Sequence, residues 1–181
     1  MTFVNTHFYE GKLQILPGLK RQTMEYFLKD EKYENLNHRM VYIPSDVDED
    51  INWKTNKNEA EIVTKTISDL FQMFASNDKP ITHESIGIST PYRAQIALIR
   101  KYMEVLPKEL AAKITVDTVE RYQGGARDII IISFCVNRLS QLDALVSLSQ
   151  EGIDRKLNVA LTRAKEQIIL IGNEDILSKN T

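Results

Sequence analysis

The stretch Asp128-Ile129-Ile130-Ile131-Ile132-Ser133-Phe134 contains four consecutive isoleucines. Isoleucine is branched at Cβ, so a helix would restrict its χ1 angle four times in succession, whereas a strand accommodates it. An apolar strand without polar alternation is buried on both faces, as in a parallel sheet that helices cover. We therefore predict that residues 128–134 form a central strand of an α/β sheet.

Other segments of the chain alternate between strand and helix patterns. The further predicted strands are Met40–Ile43, Ser85–Ser89, Ile114–Val116 and Gln167–Ile171. Helical spacing of apolar residues covers Asn58–Ala75, Arg93–Val105 and Ile153–Ala164, and the first helix has Asn56 or Asn58 as its N-cap. This alternation predicts βαβ units in one sheet. We interpret Ser45–Lys57 as an exposed, partly acidic loop, and residues 22–32 as either a helix or an irregular arm.

The composition narrows the possible classes of protein. With 181 residues, 43% of them hydrophobic and 27% charged, the chain suits one globular domain. A formal net charge of −2 argues against attraction of nucleic acid by the whole surface, so any such contact must be local. The single cysteine, Cys135, excludes an internal disulfide and fits a reducing compartment, and we expect a cytoplasmic location.

Metal and membrane signals are weak in this sequence. His7, His38 and His83 are far apart in the chain, so their spacing predicts no metal site. No apolar run approaches the ~20 residues that a bilayer span needs, and the N-terminus has no signal-peptide pattern. We therefore expect no membrane partner.

Ligands of open α/β sheets bind beyond the carboxyl ends of the strands, so the residues after each strand are site candidates. Thr90-Pro91-Tyr92-Arg93-Ala94-Gln95 follows the second predicted strand. Pro91 suits the first turn of a helix, and the Thr90 hydroxyl with the free N–H groups of the helix start could hold a phosphate. An ordinary helix cap explains the same residues and, for this segment alone, is the more common case.

A pair of glycines, Gly124 and Gly125, precedes the isoleucine strand. Adjacent glycines permit close approach of the backbone to a ligand, and their N–H groups can face a phosphate. A tight turn that requires positive φ is the alternative, and for this pair alone it is favoured.

Residues 154–165 form the third candidate segment, Asp-Arg-Lys-Leu-Asn-Val-Ala-Leu-Thr-Arg-Ala-Lys. Arg155, Asn158, Thr162 and Lys165 form a polar stripe along the predicted helix, and Arg163 lies one residue further round. A solvated basic face is the usual meaning of such charges. Arginine, however, is also the side chain that best clamps phosphate oxygens, through its planar fork of donors.

In this order and spacing, the three segments resemble superfamily 1 DNA/RNA helicases. The resemblance is to the branch that contains the nonsense-mediated-decay helicase and the replication helicase–nuclease. Thr90–Gln95 is similar to a strand-end motif of that branch, and Arg155–Ala164 closely matches its motif VI, the most specific part. The other matching stretches are Phe8–Leu13, Asn58–Ala60, and Val116–Gly124 with Asp128–Ile131, which looks like motif V.

The resemblance implies a RecA-like fold, with a mainly parallel sheet, helices on both faces and three layers. It implies that residues 1–39 are an irregular lead-in and that residues 40–181 are the C-terminal helicase domain, the second of two motor domains. ATP and Mg²⁺ would be held mainly by the first motor domain. The expected partners are therefore that first RecA-like domain and single-stranded DNA or RNA.

The same resemblance implies roles for individual residues. Arg163 would be the arginine finger, which reaches the γ-phosphate that the other domain holds. Such a finger contributes roughly 10³–10⁵ in rate, because a guanidinium stabilises charge on the phosphoryl oxygens. The implied ATP-binding residues are Gln123, Gly124, Gly125 and Arg155. The implied nucleic-acid-binding residues are Thr90, Pro91, Tyr92, Thr118 and Val119.

The two threonines, Thr90 and Thr118, would contact strand phosphates without regard to base sequence. Tyr92 and Tyr122 could stack on bases, but packing inside the domain is the favoured alternative.

This sequence departs from the family pattern at two places. Ala126 stands where the family usually has a glutamate that holds the ribose, so Glu120 or a neighbour substitutes, or the contact is missing. The chain also lacks the G-x-x-x-x-G-K-[ST] loop, its acidic Mg²⁺-binding partner and the family's first γ-phosphate arginine. We therefore expect this chain alone to bind ATP weakly without hydrolysing it, and we expect the first motor domain upstream of Met1.

Two other functions stay open at this point. The first is a non-catalytic RecA-like module that binds nucleic acid or a protein partner. The second is a flavodoxin-like receiver or small-molecule domain, which is disfavoured because it would need an acidic pocket or a cofactor loop at the strand ends, where this sequence has arginine.

Overall fold

The computed structural model describes residues 36–48, 53–118, 121, 125–142 and 163–178. These residues form one five-stranded sheet in the order β1-β5-β4-β2-β3, in which every neighbouring pair is parallel. The strands are β1 (Met40–Pro44), β2 (Ile86–Ser89), β3 (Thr115–Asp117), β4 (Arg127–Ser133) and β5 (Ala164–Gly172). All five predicted strands are confirmed, and their ends agree within one residue except at the start of β5.

The described helices lie between these strands and after the last of them. They are α1 (Lys57–Ser76), α2 (Arg93–Tyr102), α3 (Lys108–Ala111) and α4 (Glu174–Leu177), with 3-10 turns at Met103–Val105 and Leu139–Gln141. Asn56 is the N-cap of α1, because its side chain accepts a hydrogen bond from the Glu59 N–H at 2.8 Å. None of the described helices combines the length and hydrophobicity that a bilayer crossing demands.

The helix predicted over residues 153–164 lies outside the described residues except for its last two positions. At that end the prediction is wrong, because Ala164 is the first residue of β5. The backbone carbonyl of Arg163 accepts the Arg127 N–H at 2.9 Å, and Arg127 pairs with Ala164 in the sheet. Pairing with β4 therefore converts the expected helix end into strand.

The four isoleucines of β4 are buried on both faces of the sheet, as predicted, with exposures from 0% to 4%. Ile129 and Ile131 join the core that contains α1, whereas Ile130 and Ile132 belong to a cluster on the opposite face. This alternation is the two-residue repeat of a strand. Burial of each such side chain contributes about 1.5–3 kcal/mol, so β4 is the centre of the fold.

The segment predicted as an exposed loop, residues 45–57, is exposed only in part. Ser45 and Asn56 are buried, while Val47 and Trp53 keep 40% and 47% of their surface. The Asp48 N–H donates to Asn137 Oδ1 at 2.9 Å, which ties this segment to the chain after β4. Side-chain to backbone bonds of this kind satisfy the polar groups that an exposed loop would leave to water.

Candidate functional site

The predicted site residues that the structure describes lie at two opposite edges of the sheet. Thr90 follows β2 and Thr118 follows β3, so both lie at the edge formed by the carboxyl ends of the strands. Gly125 precedes β4 and Arg163 precedes β5, so both lie at the amino edge. The seven residues of β4 separate these edges by about 20 Å, at roughly 3.3 Å per residue. The two threonines thus lie at the carboxyl edge, whereas Gly125 and Arg163, the described residues among those expected to contact ATP, lie at the other edge.

Arg163 is half-buried at the amino edge. Its Nε atom is buried and has no hydrogen-bond partner. Within the part of the chain that the structure describes, no ion pair joins its guanidinium to a carboxylate. A buried donor without an acceptor costs free energy. Because Arg163 as a whole is only half-buried, it is a candidate contact for an anion at this edge of the sheet.

Gly125 makes room for the side chain of Arg127 at the same edge. A Cβ atom at Gly125 would lie 3.0 Å from Arg127 Nη1, and the backbone of Gly125 is outside the positive-φ region. A turn that requires positive φ therefore does not explain why residue 125 is glycine. Arg127 donates to the carbonyl of Ala126 at 3.0 Å and to Thr115 Oγ1 at 3.4 Å. Arg127 therefore ties the start of β4 to the start of β3.

A second cation at the amino edge, Lys165, is neutralised within the domain. Its Nζ lies 2.9 Å from Glu84 Oε2 and 3.7 Å from Asp128 Oδ1. Hydrogen bonding to Glu84 raises the pKa of Lys165, and the same bond lowers the pKa of Glu84. Burial raises the pKa of Asp128, although Lys165 opposes that change. Among the residues that the structure describes, Lys165 is thus paired with carboxylates at this edge, whereas Arg163 has no described carboxylate partner.

Several predicted site residues lie outside the described residues, and their roles stay predictions. They are Val119, Glu120, Tyr122, Gln123, Gly124 and Arg155. Ala126 is half-buried, and its carbonyl accepts the Arg127 hydrogen bond.

At the carboxyl edge, the two predicted threonines differ in exposure. Thr90 is fully buried, and its hydroxyl has no hydrogen-bond partner, while its N–H donates to the carbonyl of Asp117 at 3.2 Å. Thr118 is half-buried, and its N–H donates to Asp117 Oδ1 at 2.8 Å. Of the two, Thr118 is therefore the one that an external ligand can reach in this conformation.

Pro91 and Tyr92 lie just before α2. The helix begins at Arg93 with Tyr92 as its N-cap residue, so the expectation that Pro91 occupies the first turn is wrong. The Thr90 N–H bonds to Asp117 and prolongs the pairing of β2 with β3, which keeps the chain extended up to Tyr92. Tyr92 is half-buried, and its hydroxyl lies 3.4 Å from Gln141 Nε2.

A buried carboxyl group at the carboxyl edge was missed at the level of sequence. Glu59 Oε2 accepts hydrogen bonds from Ser133 Oγ at 2.6 Å and from the Cys135 N–H at 2.9 Å, and Ser45 Oγ lies 3.5 Å from its Oε1. Burial outweighs these bonds and raises the pKa of Glu59 to about 7. Asn56-x-x-Glu59 has the spacing of a capping box, which was the available signal.

The bonds of Glu59 hold the chain where it leaves β4. Cys135 has a φ of 53°, which is uncommon for a residue other than glycine. Its N–H is satisfied by the Glu59 carboxyl group, and burial raises the pKa of its thiol, so this cysteine packs as an unreactive side chain. Glu59 thus connects α1 to β4 and fixes the position of the carboxyl edge.

Comparisons with known proteins show the family of this chain. A family model described as an AAA domain matches residues 1–175. The ATP-dependent helicase NAM7 of Saccharomyces cerevisiae is 39% identical over 70% of this chain, which covers 12% of that protein. A Drosophila melanogaster homolog of regulator of nonsense transcripts 1 is 34% identical over 98% of this chain, which covers 14% of that protein.

A third relative belongs to the replication branch. The DNA replication ATP-dependent helicase/nuclease JHS1 of Arabidopsis thaliana is 32% identical over 72% of this chain and is covered to 9% of its length. The sheet and these relatives define a RecA-like α/β domain of the helicase class. The chain belongs to the superfamily 1 helicase family, in the branch that the resemblance indicated. It spans only 9% to 14% of the length of these three relatives.

Proposed function

We propose that this chain is the second motor domain of an ATP-dependent DNA or RNA helicase, and that Arg163 is its arginine finger. The observation that carries the proposal is the Arg163 guanidinium at the amino edge, whose buried Nε has no acceptor. Gly125 lies at the same edge, beside Arg127. These residues fit an anionic group better than a cation or an apolar ligand.

The substrate ATP would be bound mainly by the first motor domain, which would also hold Mg²⁺ to neutralise the phosphates. Arg163 would enter the cleft from the second domain and donate hydrogen bonds to the γ-phosphoryl oxygens. Negative charge grows on those oxygens in the transition state, so a positioned guanidinium stabilises that state more than the ground state. The second domain alone lacks the G-x-x-x-x-G-K-[ST] loop and its acidic Mg²⁺-binding partner, so it should bind ATP weakly and should not hydrolyse it.

The carboxyl edge would form part of the single-strand track, with the half-buried Thr118 as a phosphate contact. About 20 Å of sheet separates this edge from the amino edge, so ATP and the strand need not compete for the same residues. Closure of the cleft over ATP would move the whole rigid sheet. That motion would carry the carboxyl edge along the strand, which converts hydrolysis into stepping.

Arg163→Ala in the full-length protein tests the finger. Nucleic-acid-stimulated ATPase activity should fall by roughly 10³-fold or more, while nucleotide affinity stays within about tenfold, or ~1.4 kcal/mol. Lys165→Ala is the matched control, because it removes a cation two residues away that is already paired with Glu84. Near-normal turnover by Arg163→Ala, or an equal loss in Lys165→Ala, would contradict the role of Arg163.

A further inference from the structure

A pocket of about 290 Å³ opens at the carboxyl edge, between α2 and the end of β3. One side of the pocket is a single face of α2, at the helical spacing of residues 93, 96, 97 and 100. The other side consists of Val116 and Asp117 of β3, with Thr118 and Arg121. The residues that matter for ligand chemistry are Arg93, Ile96, Arg100, Asp117, Thr118 and Arg121.

The pocket is positively charged although the chain is not. Among the described residues, three arginines and one aspartate line it, so three positive charges and one negative charge give these residues a formal charge of +2. The whole chain carries −2. Contact with a polyanion must therefore be local, and this pocket supplies such a local positive surface.

Two of the arginines have contacts within the domain, and the contact of Arg100 is the closer one. Arg100 Nη2 donates to the carbonyl of Val116 in β3 at 3.1 Å, which orients its guanidinium and leaves other N–H donors for a ligand. Arg121 Nη1 lies 3.7 Å from Asp117 Oδ2. The other oxygen of Asp117 accepts the Thr118 N–H at 2.8 Å, so its negative charge is engaged by its neighbours.

We propose that this pocket binds a backbone phosphate and its sugar from the single strand, next to the phosphate that Thr118 contacts. This inference rests on the proposed function, because Thr118 lines the same pocket. Arg100 and Arg93 supply charge and planar donors for the phosphate oxygens, and Ile96 offers an apolar surface to the sugar. The small volume suits one unit of a strand that continues out of the open side.

The test measures binding of a fluorescein-labelled 12-nucleotide oligothymidylate to the full-length protein by anisotropy, across a range of salt concentrations. Arg100→Gln should weaken binding by about 5- to 10-fold and reduce the slope of log K against log salt by about 0.7, the value for one lost single-strand phosphate contact. Lys101→Gln is the matched control, because it removes the same charge from the next residue of α2, outside the pocket. Its affinity should change by less than twofold.

Arg100 also bonds to β3, so Arg100→Gln can lose affinity through a folding defect. Arg93→Gln is therefore made as a second variant. It should lower affinity by about 3- to 10-fold with an unchanged thermal midpoint. Unchanged affinity in both arginine variants, or equal losses in Lys101→Gln, would overturn the pocket assignment.

Thr118→Ala distinguishes a wrong pocket assignment from a wrong proposed function. If Thr118→Ala weakens binding while the arginine variants do not, only the pocket assignment fails. If neither Thr118→Ala nor the arginine variants change affinity, both the pocket assignment and the proposed single-strand track at this edge are wrong.

Discussion

Gln95 and Asn56 are joined by two hydrogen bonds that run in opposite directions. The Asn56 N–H donates to Gln95 Oε1 at 2.8 Å, and Gln95 Nε2 donates to the Asn56 carbonyl at 3.0 Å. In a capping box, the N-cap N–H is satisfied by the glutamate three residues later. Here that N–H is satisfied by Gln95 from α2, which leaves Glu59 free to bond with Ser133 and Cys135.

Gln95→Glu tests whether this pair joins α2 to α1. The glutamate keeps an acceptor for the Asn56 N–H but loses the donors to the Asn56 carbonyl and to Ser133 Oγ. We expect the free energy of unfolding to fall by about 2–4 kcal/mol, because a buried group also becomes charged. Urea unfolding measures the loss. The control Gln72→Glu changes the same side chain on the exposed side of α1 and should cost less than about 0.5 kcal/mol.

Glu59→Gln tests the pH dependence of the buried carboxyl group. Its pKa is raised from 4.5 to about 7, so the folded protein holds this proton more tightly than the unfolded chain. The resulting stabilisation is complete below about pH 4.5 and is lost as the pH rises through about 7.

Glutamine does not titrate, so the stability of Glu59→Gln relative to the wild type should rise by about 3 kcal/mol between pH 4.5 and pH 8. The hydrogen bonds that glutamine cannot replace add an offset that does not change with pH. Urea unfolding of both proteins at several pH values gives this difference. A constant difference across that range would show that Glu59 titrates normally.

Thr90→Val separates stability from strand binding at a single position. The Thr90 hydroxyl is buried without a hydrogen-bond partner, so its loss should leave stability unchanged or raise it by about 1 kcal/mol. If Thr90 contacts the strand during the motor cycle, affinity for a single-stranded oligonucleotide should fall at the same time. Thermal unfolding and fluorescence anisotropy measure the two effects. Full affinity in a stable variant would remove Thr90 from the track.

Gly172→Ala tests the packing at the end of β5. A Cβ atom there would lie 2.7 Å from Leu177 Cδ1 and 3.1 Å from Phe134 Cδ2. Because both neighbours are packed side chains, we expect a loss of about 1–3 kcal/mol in unfolding free energy. Gly125→Ala is the comparison, since its Cβ would meet the flexible end of Arg127. An equal or larger loss in Gly125→Ala would contradict this ranking.

The strands were predictable because their signal is local. Four isoleucines in succession have one favourable conformation, and Asn56 before an apolar helical stripe marks a helix start. The start of β5 was not predictable in the same way. Ala164 and its neighbours have a helical pattern, and pairing of Arg127 with Ala164 decides in favour of strand.

The candidate site likewise has features that short sequence motifs predict and features that depend on contacts between distant residues. Thr90, Thr118 and Arg163 could be selected from their motifs, since each motif is a short run of residues. Their distribution over two edges follows from the parallel order of the sheet. Burial of Glu59 depends on Ser133, 74 residues away, and a glutamate is almost never fully buried without such partners.

Residue type and spacing were thus sufficient for the class of fold, its five strands and the motifs of the helicase family, because backbone preference and periodicity act over a few residues. The folded chain decided that Thr90 is fully buried and Thr118 only half-buried, that Arg163 and Thr118 lie at opposite edges of the sheet, and that three arginines line one pocket. These features arise from contacts between residues far apart in the chain, and hydrogen bonding and burial at such contacts depend on the packing of the whole domain.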